Sequence, residues 1–127
     1  MPHLEHSLKY AKTGTGPSVN FSGLWKNELG SEMKITQQGD QLTGTYESFV
    51  SATETTATGD LCGYVDGDLI AFVVHWRDFQ SITSWVGQCE PNSGNTKINT
   101  LWQMTKQVAV GDEWASINAG ADAFVKV

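Results

Sequence analysis

Polar side chains alternate with tryptophans in several short segments of this sequence, which is the chemistry of a binding site for a small polar ligand. In the stretch WKNELGS, Lys26 and Glu28 have the same parity. A strand sends alternate side chains to opposite faces, so we expect these two charges to face water. An unpaired buried polar group costs roughly 1–3 kcal/mol, so polar groups on the other face need partners. That inward face carries Trp25, Asn27, Leu29 and Ser31.

The same parity argument gives mixed aromatic and polar inward faces in TGTYESFV, AFVVHWRD, SITSWVGQ and NTLWQM. A ligand pocket is mostly aromatic with a few placed donors and acceptors, whereas a packed core is mostly aliphatic. The pattern therefore predicts a ligand that satisfies the inward polar groups, although a neighbouring group or a buried water is an open alternative for Ser31 or Thr83 alone. The inward residues are Tyr46, Ser48, Val50, Phe72, Val74, Trp76, Ser81, Thr83, Trp85, Trp102 and Met104.

The elements that must position these residues are short strands separated by turns. Alternating runs recur at short intervals, Asp66-Gly67 is the strongest hairpin signal, and no stretch shows helical periodicity over three turns. Residues 50–59 and 107–117 are predicted to be long connections, the second with a helical turn. We predict an all-β fold, an eight-stranded antiparallel up-and-down β-barrel, because closure removes exposed strand edges. The predicted strands lie near 21–28, 31–37, 41–49, 60–66, 68–76, 81–90, 96–106 and 118–126.

Composition limits the domain organisation and excludes several classes of partner. The chain has 127 residues, enough for one domain, which we expect to span 20–127 after a flexible leader over 1–19. A net charge of −6 with eight scattered basic residues argues against nucleic acid. No apolar run approaches the roughly 20 residues that span a bilayer, so no membrane partner is expected. No Cys/His pattern indicates a metal.

Five segments resemble the avidin/streptavidin family of biotin-binding proteins: WKNELGS, TGTYES, SITSWVGQC, INTLWQMT and DEWASINAGADAFVKV. The resemblance runs in order from about Phe21 to Val127, and the combination of segments is specific where one alone would be weak. It implies an eight-stranded barrel that holds biotin non-covalently in its mouth, with no cofactor and no catalysis. It also implies secretion or a periplasmic location, although the start of this chain lacks the apolar stretch of a signal peptide.

The resemblance implies a role for each predicted site residue. Asn27, Ser31 and Tyr46 would donate to the ureido oxygen of biotin, and Asp122 and Ser48 would accept from its two N–H groups. Thr83 would contact the sulfur, and Ser81 would hold the carboxylate together with the loop residues Ser51, Ala52 and Thr53. The ring walls would be Trp76, Trp85 and Trp102, and further contacts would be Leu29, Val50 and Met104, which replaces a leucine of the family. Phe79 departs from the family, which more often has a small or hydroxyl residue near the pocket mouth, and would narrow the mouth or stack on the valerate chain.

The resemblance also bears on assembly. In tetrameric members a tryptophan at the place of Trp114 reaches into a neighbouring subunit, so a homo-oligomer is expected and a tetramer is favoured over a Trp114 packed on its own barrel. The short hairpin GYVDGDLIAF resembles the dimeric members instead, which leaves a dimer open. Cys62 and Cys89 would lie two strands apart, roughly 9–10 Å, which exceeds the usual reach of a disulfide. An intersubunit bridge and two free thiols both remain open.

Two other functions compete with biotin binding. A lipocalin-like carrier of another small amphiphile would need an apolar interior, without the cluster of Asn, Ser, Tyr and Asp. A barrel enzyme would use Asp122 and Tyr46 as acid and base, but the sequence offers no evident nucleophile or metal beside them.

Overall fold

Eight antiparallel strands form the chain's architecture in a computed structural model that describes residues 3–12, 14, 16–50 and 55–127. Each strand pairs with the next, and the last pairs antiparallel with the first, which closes the barrel. The predicted all-β class and the up-and-down topology are confirmed. The strands are β1 Gly23–Asn27, β2 Glu32–Gln38, β3 Gln41–Val50, β4 Thr55–Asp66, β5 Leu69–Trp76, β6 Ser81–Cys89, β7 Lys97–Lys106 and β8 Ile117–Lys126.

The segment 50–59 is not a single loop, contrary to the prediction. β4 begins at Thr55, and Thr56 and Thr58 pair with Phe49 and Glu47 of β3. A run of Ser, Thr and Ala indicates a loop by composition, but threonine also favours strands where a partner strand is present. The predicted ligand contacts Ser51, Ala52 and Thr53 lie outside the described residues, as does the side chain of Val50.

The predicted leader and the barrel differ in packing. A six-residue helix, Leu4–Lys9, contains no buried residue. Val19, in contrast, is only 3% exposed and belongs to the core, so the packed part of the chain begins no later than Val19. No helix in the described ranges is long and apolar enough to cross a bilayer.

The hydrophobic core fills the end of the barrel where β1 begins. Phe21, Trp25 and Phe124 are fully buried there, and the Trp25 indole N–H donates a hydrogen bond of 2.8 Å to the carbonyl oxygen of Phe21. Cys89 is buried in the same core, whereas Cys62 is exposed on the outside. Both thiols are free in the chain, and their opposite orientations exclude a disulfide between them within one barrel.

The predicted site residues lie toward the opposite end of the barrel, where β1 ends. In an up-and-down barrel the ends of odd-numbered strands and the starts of even-numbered strands lie at the same rim. Asn27 ends β1, Trp76 ends β5 and Ser81 begins β6, so residues far apart in sequence meet there. The β7–β8 connection returns to this rim and contains the predicted helical turn, a 3₁₀ helix over Glu113–Ala115.

Candidate ligand-binding site

The WKNELGS stretch is a strand end followed by a tight turn. The side-chain oxygen of Asn27 accepts hydrogen bonds from the backbone N–H groups of Leu29 (3.0 Å) and Ser31 (2.9 Å). Gly30 has a φ of 84°, a conformation that residues with a side chain rarely adopt. The turn breaks the strand alternation, so the prediction of an inward Leu29 is wrong: its side chain is 78% exposed.

Three hydrogen-bond donors predicted to share one ligand atom are held by neighbouring strands. The Asn27 amide nitrogen donates to the Tyr46 phenol oxygen at 3.4 Å, and the Ser31 hydroxyl accepts from the Phe49 N–H at 3.2 Å. Both hydroxyl oxygens act as acceptors in these bonds. The hydroxyl protons of Ser31 and Tyr46 and one amide proton of Asn27 are therefore still available to an acceptor on a ligand.

These polar groups do not depend on a ligand for a partner, which corrects the expectation from the sequence. Among the described residues, no buried side-chain nitrogen or oxygen lacks a hydrogen bond. Asn27 shapes the turn after β1, and Ser31 ties that turn to β3. A ligand would add partners to groups that the fold has already oriented.

Asp122 provides the complementary acceptor on β8. One of its carboxylate oxygens accepts a hydrogen bond of 3.0 Å from the Trp85 indole N–H. Burial raises the pKa of Asp122, the nearby Glu28 carboxylate raises it further, and the Trp85 bond partly offsets both. The pKa of Tyr46 is also raised, mainly by burial and then by the charges of Asp122 and Glu28. Tyr46 therefore stays protonated and can donate.

Glu28 was expected to face water, and no sequence pattern marked it as part of the site. Its side chain is exposed, but one carboxylate oxygen accepts a hydrogen bond of 3.0 Å from the backbone N–H of Ala123 on β8. The residue lies in the turn after β1, where strand parity does not apply. Glu28 thus joins the two edges of the closed barrel directly beside Asp122.

Aromatic rings surround the polar side chains of Asn27, Tyr46 and Asp122. The Tyr46 ring stacks on Trp85 with centroids 4.9 Å apart and meets Trp76 edge-on at 5.6 Å. The Trp76 indole N–H donates to the Thr83 hydroxyl at 3.0 Å. Trp102 lies against the backbone of Gly120, where a Cβ atom would come within 2.6 Å of the ring, so only glycine leaves room for the indole.

A cavity of about 510 Å³ opens at the rim, within the size range of small-molecule sites. Among the predicted residues it is lined by Ser48, Trp76, Phe79, Ser81 and Met104; Phe79 is 60% exposed at its edge. The polar residues around Tyr46 lie deeper in the barrel. Trp76 connects them to the cavity, because it lines the cavity and contacts the Tyr46 ring. The lining residues that the sequence did not identify are Ala57, Asp78, Gln80, Lys106 and Gln107.

Trp114 does not contribute to this cavity within its own chain. It lies in the 3₁₀ helix of the β7–β8 connection, and its side chain is 84% exposed. The alternative in which Trp114 packs on its own barrel is therefore wrong.

A closed antiparallel barrel with a cavity at one rim belongs to the class of small β-barrels that can hold a single small ligand. The family model described as the avidin family matches residues 16–127, and the chain belongs to this family. It is 28% identical to avidin from Gallus gallus over 119 residues, which cover 85% of this chain and 78% of avidin.

Two solved structures share the fold over nearly their whole length. The crystal structure of xenavidin superposes with a TM-score of 0.74 at 33% identity, covering 87% of this chain and 99% of xenavidin. The X-ray structure of the biotin binding protein from chicken superposes with a TM-score of 0.72 at 28% identity, again covering 87% of this chain and 99% of that one.

The proximity of Glu28 and Asp122 leads to a testable prediction. Replacing Glu28 by Gln keeps an acceptor for the Ala123 N–H and removes the negative charge, so the pKa of Asp122 should fall. Because the pKa of Asp122 is higher in the folded chain, its ionisation lowers the free energy of unfolding as pH rises from about 3.9 through the folded-state pKa. Glu28→Gln should reduce this loss. An NMR titration of the Asp122 carboxyl carbon, with urea unfolding at several pH values, measures both.

Glu47→Gln is the matched control, since Glu47 is an exposed carboxylate on the outward face of β3. Equal effects of the two substitutions on the pKa of Asp122 would contradict a specific influence of Glu28.

Proposed function

We propose that the chain binds biotin non-covalently and with high affinity at the barrel rim, without catalysis. Its membership of a family that includes a chicken biotin binding protein supports this ligand. We base the proposal on one structural observation: two hydrogen-bonded pairs, Asn27–Tyr46 and Trp85–Asp122, are joined by the stacked rings of Tyr46 and Trp85. The two pairs together offer donors for the oxygen of a urea and a carboxylate acceptor for one of its N–H groups.

The ureido group of biotin matches the available atoms. Its oxygen would accept from Asn27, Ser31 and Tyr46, each of which retains a proton to donate. Its N–H groups would donate to Asp122 and Ser48, and the bond to the carboxylate would be charge-assisted, roughly twice as strong as a neutral one. Donors that are already oriented resemble an oxyanion hole that is used for affinity.

The rest of biotin would follow the cavity outward. Its thioether would lie near Thr83, whose hydroxyl oxygen already accepts from Trp76. The bicyclic ring would lie between Trp76, Trp85 and Trp102. The valerate chain would then pass Met104 and Phe79 toward the rim, with its carboxylate near Ser81.

A fluorescence titration with biotin tests the proposed function. The indoles of Trp76, Trp85 and Trp102 should change their emission until one ligand is bound per chain, and the thermal midpoint should rise with ligand concentration because only the folded state binds. An absence of both responses would reject biotin binding. A response to apolar probes instead of biotin would favour the lipocalin-like alternative.

Asp122 should matter more for binding than any residue of the outer cavity. Asp122→Ala removes a charged acceptor and leaves a ureido N–H without a partner, which typically costs about 1–3 kcal/mol, or roughly 5- to 150-fold in Kd. Ser81→Ala removes a hydroxyl that already donates to the Thr105 carbonyl at 2.9 Å, so its loss should be smaller. Competition calorimetry compares the two variants, and equal losses would contradict the ranking.

We further propose that the chain forms a homo-oligomer, with a tetramer favoured, through the outer surface of β4 to β8. Five outward residues of these strands form one continuous cross-strand row of partners: Tyr64, Ala71, Val86, Leu101 and Ala121. All are exposed; Val86, on the middle strand of the five, is 63% exposed, and its partner Leu101 is 70% exposed. Exposed apolar patches of this kind are typical of subunit interfaces.

Trp114 supports the same proposal. A large aromatic residue that is 84% exposed at the rim is placed to contact a neighbouring subunit, and buried tryptophans commonly anchor interfaces. Its position next to the cavity-bearing rim is consistent with a contribution to a partner's binding site.

Leu101→Lys should lower the oligomer mass measured by light scattering, because a charge within the outer row, next to its central residue Val86, would be buried on association. Trp114→Lys should lower both the oligomer mass and the biotin affinity. Leu8→Lys adds the same charge at an exposed apolar residue of the N-terminal helix and should change neither quantity. If Trp114→Lys leaves the mass and the biotin dissociation rate unchanged, Trp114 does not cross an interface.

A further inference from the structure

Among the described residues that line the cavity at the rim, Lys106 is the one cation, and it is not among the proposed biotin contacts. Lys106 is the last residue of β7 and has the same strand parity as Trp102 and Met104. It is among the residues that line the cavity, and its partner in the β6–β7 register is Ser81. Lys106 therefore lies at the part of the rim where the ligand's carboxylate is proposed to bind.

The backbone around Lys106 is held on both sides. Its N–H donates to the carbonyl oxygen of Ser116 at 2.9 Å, and the next N–H, of Gln107, donates to the carbonyl oxygen of Gln80 at 2.9 Å. These bonds tie the end of β7 to the β7–β8 connection, just before β8, and to the β5–β6 connection. The backbone of Lys106 is consequently fixed at the rim, beside the cavity.

Among the described residues that line the cavity, no polar side chain other than Lys106 favours a carboxylate over a neutral amide. The Ser81 hydroxyl proton already goes to the Thr105 carbonyl, so Ser81 cannot donate to an anion unless that bond breaks. The side-chain amides of Gln80 and Gln107 are neutral donors that would serve an acid and an amide equally well. The other charged lining residue, Asp78, repels a carboxylate, and no described side chain forms an ion pair with Lys106.

We propose that Lys106 is a specificity-determining residue that contacts the anionic end of the ligand. It makes the site prefer free biotin, which carries a carboxylate, over biotin whose carboxyl is joined through a neutral amide, as in a biotinylated lysine. This inference rests on the proposed biotin binding. It adds a charge preference at the rim to a site whose deeper contacts recognise only the ring system.

The test compares biotin with biotinamide, and dethiobiotin with its carboxamide as a weaker pair whose Kd values are easier to measure. Each pair differs only at the chain end, where a neutral amide replaces the carboxylate. In the unaltered chain the ratio of amide to acid Kd should reach up to about fivefold at low salt, the range of an exposed ion pair, and should shrink at high salt. Lys106→Gln should bring the ratio close to its high-salt value, and Lys106→Arg should preserve it.

Lys34→Gln is the matched control, because it removes the same charge from an exposed residue of β2 that is not part of the cavity. A ratio that Lys106→Gln leaves unchanged, or that Lys34→Gln lowers equally, would overturn the role of Lys106 while biotin binding stands. A chain that binds neither the acid nor the amide would overturn the proposed function and this inference together.

Discussion

The pairing of β8 with β1 is the constraint on which the rest of the structure depends. Without it the sheet would be an open meander with Asn27 and Asp122 on strands at opposite edges. With it, the two edges are adjacent, and Asn27 lies opposite Phe124 in the register. The bond from the Ala123 N–H to Glu28 then joins groups that are 95 residues apart in sequence. Closure thus creates both the protected sheet and the polar end of the site.

The side chains inside the barrel are held in place by contacts with one another. Stacked and edge-on contacts link Phe72, Trp85, Tyr46 and Trp76, so the walls support one another before any ligand arrives. The polar groups are likewise bonded in place, yet each retains a donor or acceptor for a partner. A site that is ordered in advance loses less conformational freedom on binding, which is the general source of high affinity in rigid pockets. The proximity of Glu28 and Asp122 is the electrostatic cost of this arrangement.

The same strands serve the inside and the outside of the barrel. In β6, Thr83 and Trp85 point inward to the site, while Val86 points outward into the apolar row. A shift of one residue in register would exchange these faces, so the proposed binding and the proposed association would depend on the same strand pairing. The glycines at inward positions serve this packing: a Cβ at Gly63 would lie 2.1 Å from the carbonyl oxygen of Ala71.

The sequence by itself determined the all-β class, the meander and most inward residues, because strand alternation and turn residues are local properties. Parity placed Tyr46, Thr83 and Trp85 inside, and burial confirms all three. The sequence also indicates the strand face of Lys106, because this residue follows Trp102 and Met104 in the same alternation.

Only the tertiary structure decided what depends on turns and closure. Leu29 points outward because Asn27 and Gly30 close a turn that ends the alternation. Glu28 accepts a hydrogen bond from Ala123 because the pairing of β8 with β1 brings β8 next to that turn. The Ser81 hydroxyl is committed to the Thr105 carbonyl, a long-range bond that no local pattern encodes. Strand periodicity predicts which face a side chain takes, whereas its partners are fixed by the register of strands that are distant in sequence.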